Sequence, residues 1–90
     1  MVAEGEYRII NALGLHARAA AQLVKLANRY KSDVSLECEG QTVNGKSIMG
    51  VLMLAAAQGA LINVRCDGED ASPCLSEIAV LVGNKFGEEQ

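Results

Sequence analysis

Two short stretches of apolar–polar alternation constrain the fold of this chain most. The alternating apolar positions are Val34, Leu36 and Cys38 in the first stretch, and Ile62, Val64 and Cys66 in the second. Because successive side chains of a strand point to opposite faces, this period of two predicts two strands, each with one buried face. Weaker patterns predict strands at residues 6–10 and 41–43, and Gly40 predicts a hairpin turn between the second and third strands.

Two stretches with helical period separate these strands. Residues 17–30 predict a first helix with an apolar face and a polar face. The apolar positions are Ala20, Leu23, Val24, Ala27 and Tyr30, and the polar positions are Arg18, Gln22, Lys25 and Arg29. Ser47 is well placed to cap a second, short helix that runs to about Met53.

A third helix is predicted after the fourth strand. Ser72 suits its N-cap, Pro73 its first helical position, and Gly87 the position beyond its end. The apolar stripe consists of Leu75, Ile78, Ala79, Val82 and Phe86. The element order is therefore βαββαβα. The predicted fold class is α/β (α+β). We expect an open-faced sandwich, in which three helices cover one face of a four-stranded antiparallel sheet.

Composition limits the kinds of function that this chain can have. We expect residues 1–90 to form a single domain, because no linker, repeat or low-complexity tract interrupts them. A net charge of −3 and only three aromatic residues argue against nucleic-acid binding. The three cysteines lack metal-ligand spacing, so we expect reduced, buried thiols, no metal site and no cofactor. The first residues do not resemble a signal peptide, which predicts a cytoplasmic protein.

The chain has one histidine, His16, at the predicted start of the first helix and two residues before Arg18. None of residues 14–17 has a side chain that could cap the first turn, so its backbone N–H groups lack an obvious partner. Unpaired amides at a helix N-terminus bind phosphate well, and neutral imidazole is a competent nucleophile. A lone histidine at the start of a helix usually has no chemistry of its own, but a second motif changes this interpretation.

Residues 46–50 read KSIMG and follow about thirty residues after the GLHAR of residues 14–18. Two motifs at this spacing in a chain of ninety residues resemble the HPr family, the histidine-containing phosphocarriers of the bacterial phosphotransferase system. The resemblance covers nearly the whole chain.

The resemblance implies a role for several residues. His16 would be the phosphoryl acceptor, modified at Nδ1, with Arg18 as the partner of the anion; the unpaired amides of the first turn, that of Ala17 among them, would add to this on physical grounds. Ser47 would be the site of a regulatory kinase, the HPr kinase/phosphorylase. The family usually has proline at the position of Ala19. The family's strand order of 1-4-2-3 would also apply.

The resemblance also implies a function and its partners. The chain would not be an enzyme but a carrier, which receives phosphoryl derived from phosphoenolpyruvate from phosphorylated Enzyme I and passes it to IIA components. Contact with membrane transporters would occur only through IIA. We further expect a monomer.

A second functional surface is predicted around the short helix. Ile48, Val51 and Leu52 can face the core, which leaves the methionines nearer solvent, where flexible side chains suit several partners. The predicted partner-binding residues are Ala20, Lys25, Ile48, Met49 and Met53.

Three alternatives stay open from the sequence. A regulatory module could bind partners through the same face without phosphotransfer, although His16 with Arg18 argues against it. A ligand-binding or RNA-binding domain would be expected to have a glycine-rich loop or aromatic residues on its sheet, and neither is apparent. A carrier could also serve the nitrogen-related phosphorelay instead of sugar transport.

Overall fold

The computed structural model describes all of residues 1–90, which form four strands, three α-helices and one 3-10 turn. In chain order the elements are β1 (Val2–Arg8), α1 (Ala17–Ala27), β2 (Asp33–Cys38), β3 (Gln41–Asn44), α2 (Ile48–Met53), β4 (Leu61–Asp67), α3 (Ala71–Gly83) and the 3-10 turn Lys85–Gly87. The predicted order βαββαβα is confirmed.

The four strands form one antiparallel sheet in the order β1-β4-β2-β3, which confirms the order that the resemblance implied. Strand β4 lies between β1 and β2, and its inward residues Ile62, Val64 and Cys66 are fully buried. The three helices complete the core on that side, whereas every other residue of β4 is exposed on the opposite face. The molecule is therefore an open-faced sandwich, as predicted.

Strand β1 differs from its predicted range of residues 6–10. It begins at Val2 and ends at Arg8, and Ile9 lies beyond it, buried, with its N–H bonded to the carbonyl of Ala60 at 2.8 Å. The ring of Tyr7 lies over Gly5, where a Cβ atom would collide with the phenol. Gly5 therefore weakens the apolar–polar alternation of β1, and its missing side chain leaves room for the ring of Tyr7.

Helix α1 ends at Ala27, three residues before the predicted end. The side-chain amide of Asn28 donates to the carbonyl of Val24 at 2.9 Å and closes the last turn. The predicted apolar face is otherwise correct, because Leu23, Val24 and Ala27 are buried in the core. Tyr30 lies beyond the helix and is half-buried.

Helix α3 also departs from its predicted start. Asp70 occupies the N-cap and the helix begins at Ala71, so Ser72 and Pro73 lie exposed in the first turn instead of capping it. The inward side of the helix includes Cys74. Ser-Pro is typical of a helix start, but here the helix begins earlier. Its start is set by Asp70, whose carboxylate is hydrogen-bonded to another part of the chain.

The carboxylate of Asp70 joins α3 to the loop before β2. It accepts hydrogen bonds from the backbone N–H groups of Lys31 and Ser32, each at 2.9 Å, and from the Ser32 hydroxyl. These donors, the hydroxyl first, lower the pKa of Asp70 to about 2. Because Ser32 is fully buried, this carboxylate supplies partners for polar groups that water does not reach.

The chain leaves the helical path immediately after α3. Lys85 and Phe86 both have left-handed backbone angles, with φ of 57° and 55°, and conformations of this kind cost about 1–3 kcal/mol for a residue other than glycine. The ring of Phe86 is buried in the core, which holds the turn in place. The predicted stripe position at Phe86 is thus buried, but in the 3-10 turn and not in the helix.

The cysteines are free and buried, as expected. Burial, followed by the neighbouring thiol of Cys74, raises the pKa of Cys66 to about 12. Burial also raises the pKa of Cys74. No helix of this molecule has the length and apolar character needed to cross a membrane.

Candidate functional site

The loop before α1 places His16 in a defined position. Gly14 has a φ of +67° and lies so close to the next loop that a Cβ atom would be 2.6 Å from the carbonyl oxygen of Ala56. That same carbonyl accepts a hydrogen bond from the N–H of Leu15 at 2.9 Å. Glycine is therefore needed at residue 14 for both its backbone angle and the close approach. His16 follows as the N-cap of α1.

The first turn of α1 has unpaired backbone donors. His16 has an extended backbone, and its carbonyl accepts the first helical hydrogen bond, from Ala20, at 2.8 Å. Its side chain does not cap the helix, and the N–H groups of Ala17, Arg18 and Ala19 have no acceptor within the protein. The expectation of unpaired first-turn amides is confirmed. Such amides, at the positive end of the helix dipole, can bind the oxygens of an anion.

Arg18 adds an exposed positive charge in the same turn of the helix. Its side chain is exposed and makes no hydrogen bond or ion pair. The lining of the adjacent groove consists of Arg18, Gln22, Leu81, Asn84, Phe86, Gly87 and Glu88. An uncommitted guanidinium can form a bidentate contact with phosphoryl oxygens without first breaking an internal contact.

The ring of His16 contacts a carboxylate from far along the chain. Glu88 lies 72 residues later and its Oε2 is hydrogen-bonded to His16 Nε2. Asn11 Nδ2 donates to the other oxygen, Glu88 Oε1, at 3.0 Å, and to the carbonyl of Gly14 at 2.9 Å. The contact with His16, followed by the bond from Asn11, lowers the pKa of Glu88. The carboxylate is therefore ionised at neutral pH.

Sequence reasoning did not identify Asn11 or Glu88 as site residues. Asn11 is fully buried, and its Oδ1 is the one buried side-chain polar atom without a partner. An asparagine so close to His16 in the sequence is a weak indication of a shared site. Glu88 gives no such indication in the sequence, because an acidic pair at residues 88–89 is typical of a solvated surface.

Ser47 lies at the start of α2, as predicted. Its hydroxyl oxygen accepts a hydrogen bond from the N–H of Gly50 at 3.1 Å, so the predicted N-cap is confirmed. The side chain is half-buried, and no hydrogen bond joins it to His16 or Arg18. The structure thus places Ser47 in a separate element from the histidine site, on a helix that packs against α1.

Helix α2 exposes more apolar surface than its pattern predicts. Met49 is 69% exposed and Met53 65%, as expected, but Ile48 is also 45% exposed and does not face the core. Val51 alone in this helix is fully buried, and Leu52 is half-buried. A helix of two turns can direct only a narrow stripe inward, so Ile48 remains at its edge.

One predicted partner-binding residue is wrong. Ala20 is fully buried on the apolar face of α1 and cannot contact a partner. The helical period already placed it there. Lys25, on the opposite face, is exposed. The exposed members of the predicted surface are therefore Lys25, Ile48, Met49 and Met53.

The match to a family model decides what kind of protein this is. Residues 3–84 match the family PTS-HPr, described as the phosphorylation site of the HPr component of the phosphotransferase system. This chain belongs to the HPr family. The phosphocarrier protein HPr of Xylella fastidiosa strain Temecula1 is 46% identical over 86 residues, covering 96% of this chain and 97% of the relative. That of Cupriavidus necator is 46% identical over 80 residues, covering 89% and 90%.

Solved HPr structures have the same fold. HPr-C-His from Thermoanaerobacter tengcongensis superimposes with a TM-score of 0.95 at 36% identity, covering 98% of this chain and 99% of that one. HPr from Bacillus anthracis gives 0.84 at 38% identity, covering 88% and 94%. An HPr dimer from Thermoanaerobacter tengcongensis gives 0.78 at 36% identity, covering 91% and 94%. The HPr family consists of phosphocarriers of the phosphotransferase system, and the resemblance stated from the two motifs is confirmed.

Proposed function

We propose that this chain accepts a phosphoryl group on His16 from phosphorylated Enzyme I and passes it to IIA components. The observation that carries the proposal is the start of α1, where a half-exposed imidazole adjoins three unpaired amides and the free guanidinium of Arg18. Phosphoryl transfer needs a nucleophile in line with the phosphorus atom and positive charge around the oxygens, and this region provides both.

The same geometry supports a carrier that is not an enzyme. The chain gains and loses the group at one atom and ends each cycle unchanged. Contacts made by backbone amides and an exposed arginine would bind the resting phosphoryl group only moderately, which favours onward transfer. The site is complete within one chain, which supports a single domain over residues 1–90 that acts as a monomer. Exchange with Enzyme I would take place in the cytoplasm.

The test is labelling by Enzyme I and phosphoenolpyruvate. The wild-type chain should gain one phosphate that is labile in acid and stable in alkali, as expected of a nitrogen–phosphorus bond. His16→Ala should gain none, while its circular dichroism spectrum and Tm show that it still folds. Full labelling of a folded His16→Ala chain would contradict the proposal, and a wild-type chain that binds partners without any labelling would support the regulatory module instead.

A second function is proposed for Ser47, because its hydroxyl is at the N-cap of α2, two residues before the exposed Met49. Phosphate at this position would be favoured by the helix N-terminus, yet it would place charge next to an apolar contact surface. Regulation by a kinase such as the HPr kinase/phosphorylase would therefore weaken docking of Enzyme I without unfolding the chain. The Ser47 variants described below test this proposal.

A further inference from the structure

The segment after α3 is shaped to bring one carboxylate to His16. The left-handed turn at Lys85 and Phe86 redirects the chain. The backbone carbonyl of Gln90 then accepts a hydrogen bond from the N–H of Ala12 at 2.5 Å, which holds the segment beside the loop that precedes α1. Within this segment, Glu88 contacts the imidazole of His16 and is 19% exposed, against 26% for His16.

Both oxygens of this carboxylate have specific partners. Oε1 accepts a hydrogen bond from Asn11 Nδ2 at 3.0 Å, and Oε2 is bonded to His16 Nε2. Asn11 itself is buried and anchored to the carbonyl of Gly14 at 2.9 Å. Glu88 is therefore oriented by the same loop that positions His16.

We propose that Glu88 is a positioning residue that keeps the hydrogen of neutral His16 on Nε2 and so leaves Nδ1 as the nucleophilic atom. An ionised carboxylate can only accept hydrogen bonds, so Nε2 must be the donor of this pair. In neutral imidazole the other nitrogen then carries the lone pair. This inference deepens the proposed function and rests on it, because it names the residue that holds His16 in the reactive tautomer at the same site.

The transfer step balances with this arrangement. The lone pair of His16 Nδ1 forms the new bond to phosphorus, the bond between phosphorus and the donor breaks, and its electron pair leaves with the donor. The hydrogen on Nε2 stays in place. The ring that carries the phosphoryl group acquires positive charge during the step, and the negative carboxylate of Glu88 stabilises it. Onward transfer reverses each of these changes.

The experiment compares Glu88→Ala with the matched control Glu89→Ala, which removes the neighbouring exposed carboxylate. Nitrogen-15 NMR of the neutral ring needs no partner protein. We expect one tautomer, with hydrogen on Nε2, in wild type and control, and a mixture of tautomers in Glu88→Ala. The Tm of each variant shows that it is folded.

Kinetics with Enzyme I supply a second measurement. Glu88→Ala should lower kcat of phosphoryl transfer about tenfold, the lower end of the loss seen when the partner that orients a metal-bound histidine is removed, with KM unchanged. Glu88→Gln cannot present an oxygen to both partners: with its oxygen accepting from Asn11 Nδ2, its amide nitrogen faces His16 Nε2 and donates to it, so this variant should move the ring hydrogen to Nδ1 and also lower kcat. Failure of wild type to accept phosphoryl would refute the proposed function but would leave the NMR result standing.

Two results would overturn the inference. The first is an identical ring spectrum in wild type and Glu88→Ala, which would mean that the carboxylate does not select the tautomer. The second is faster transfer by Glu88→Ala than by wild type, which would mean that the segment merely covers His16.

Discussion

Helices α1 and α3 each begin beside a carboxylate that the fold brings to a distant part of the chain, but the two regions use it differently. At α3, Asp70 accepts hydrogen bonds from the backbone and hydroxyl of Ser32, 38 residues away, and from the backbone of Lys31. At α1, Glu88 binds a half-exposed imidazole, and the amides of the first turn stay unpaired.

This difference separates a structural site from the candidate functional site. The donors that face the Asp70 carboxylate come from the protein itself, so that region holds the loop before β2 on α3. The region around His16 holds the ring in place while leaving amide donors and the guanidinium of Arg18 available. The comparison predicts that changes at α1 affect phosphoryl transfer, whereas changes at α3 affect stability.

The largest expected effect follows from Arg18→Ala. Because the guanidinium is exposed and makes no internal hydrogen bond or ion pair, its loss should leave Tm within the small range of surface changes. Transfer from phosphorylated Enzyme I should slow by about tenfold or more, at about 1.4 kcal/mol of barrier for each factor of ten. Initial rates measure this, with Arg65→Ala on the outer face of the sheet as control. An unchanged rate, or a largely unfolded variant, would refute this role for Arg18.

The next largest effect is expected for Asp70→Asn, which should lower stability and leave the transfer rate unchanged. We expect Tm to fall by several degrees, because the buried hydroxyl and N–H of Ser32 lose their charged acceptor, while the transfer rate stays at the wild-type value. Thermal unfolding and initial rates on the same samples measure both. A variant with normal Tm and slow transfer would break the distinction between the two regions.

The pH dependence of that stability difference gives a further check. Folding lowers the pKa of Asp70 from 3.8 to about 2, so the ionised carboxylate stabilises the fold. Its contribution is complete above the ordinary pKa and is lost as the pH falls through about 2. The difference in Tm between wild type and Asp70→Asn should therefore shrink across this interval. A difference that widens on acidification would contradict the assignment.

The smallest effects are expected at Ser47, the N-cap of α2, which is the helix that contains Ile48, Met49 and Met53 of the predicted partner-binding surface. Ser47→Ala should cost about 1 kcal/mol of unfolding free energy through loss of the bond to Gly50, with little change in transfer. Ser47→Asp should fold at least as well as wild type and accept phosphoryl more slowly, through a higher KM. Thermal unfolding and rate against carrier concentration measure these effects. Equal KM in both proteins would leave Ser47 as an ordinary cap.

Much of this fold is predictable because short-range patterns determine it. The alternation in β2 and β4 and the periods of α1 and α3 come from burial of one face, which the sequence records directly. The missed boundaries have long-range causes. The start of α3 depends on Asp70 meeting Ser32, and the first half of β1 depends on Tyr7 covering Gly5. Neither contact leaves a local pattern.

The candidate site also has a part that the sequence predicts and a part that only the fold brings in. His16 and Arg18 lie within one motif and are identified together, whereas Glu88 reaches them only through the turn at Lys85 and Phe86. That turn uses left-handed backbone angles without a glycine at either residue, so the sequence gives no indication of it. A partner 72 residues away therefore became visible only in the folded chain.

The central claim is that the unpaired start of α1 carries the phosphoryl group on His16. NMR of the nitrogen-15-labelled chain, after phosphorylation by Enzyme I and phosphoenolpyruvate, tests it directly. We predict phosphorus coupling to one ring nitrogen of His16 and large downfield shifts of the Ala17 and Arg18 amides, while the Ala71 amide at the start of α3 stays in place. Phosphorus bound to another residue, or unmoved amides at α1, would contradict the claim.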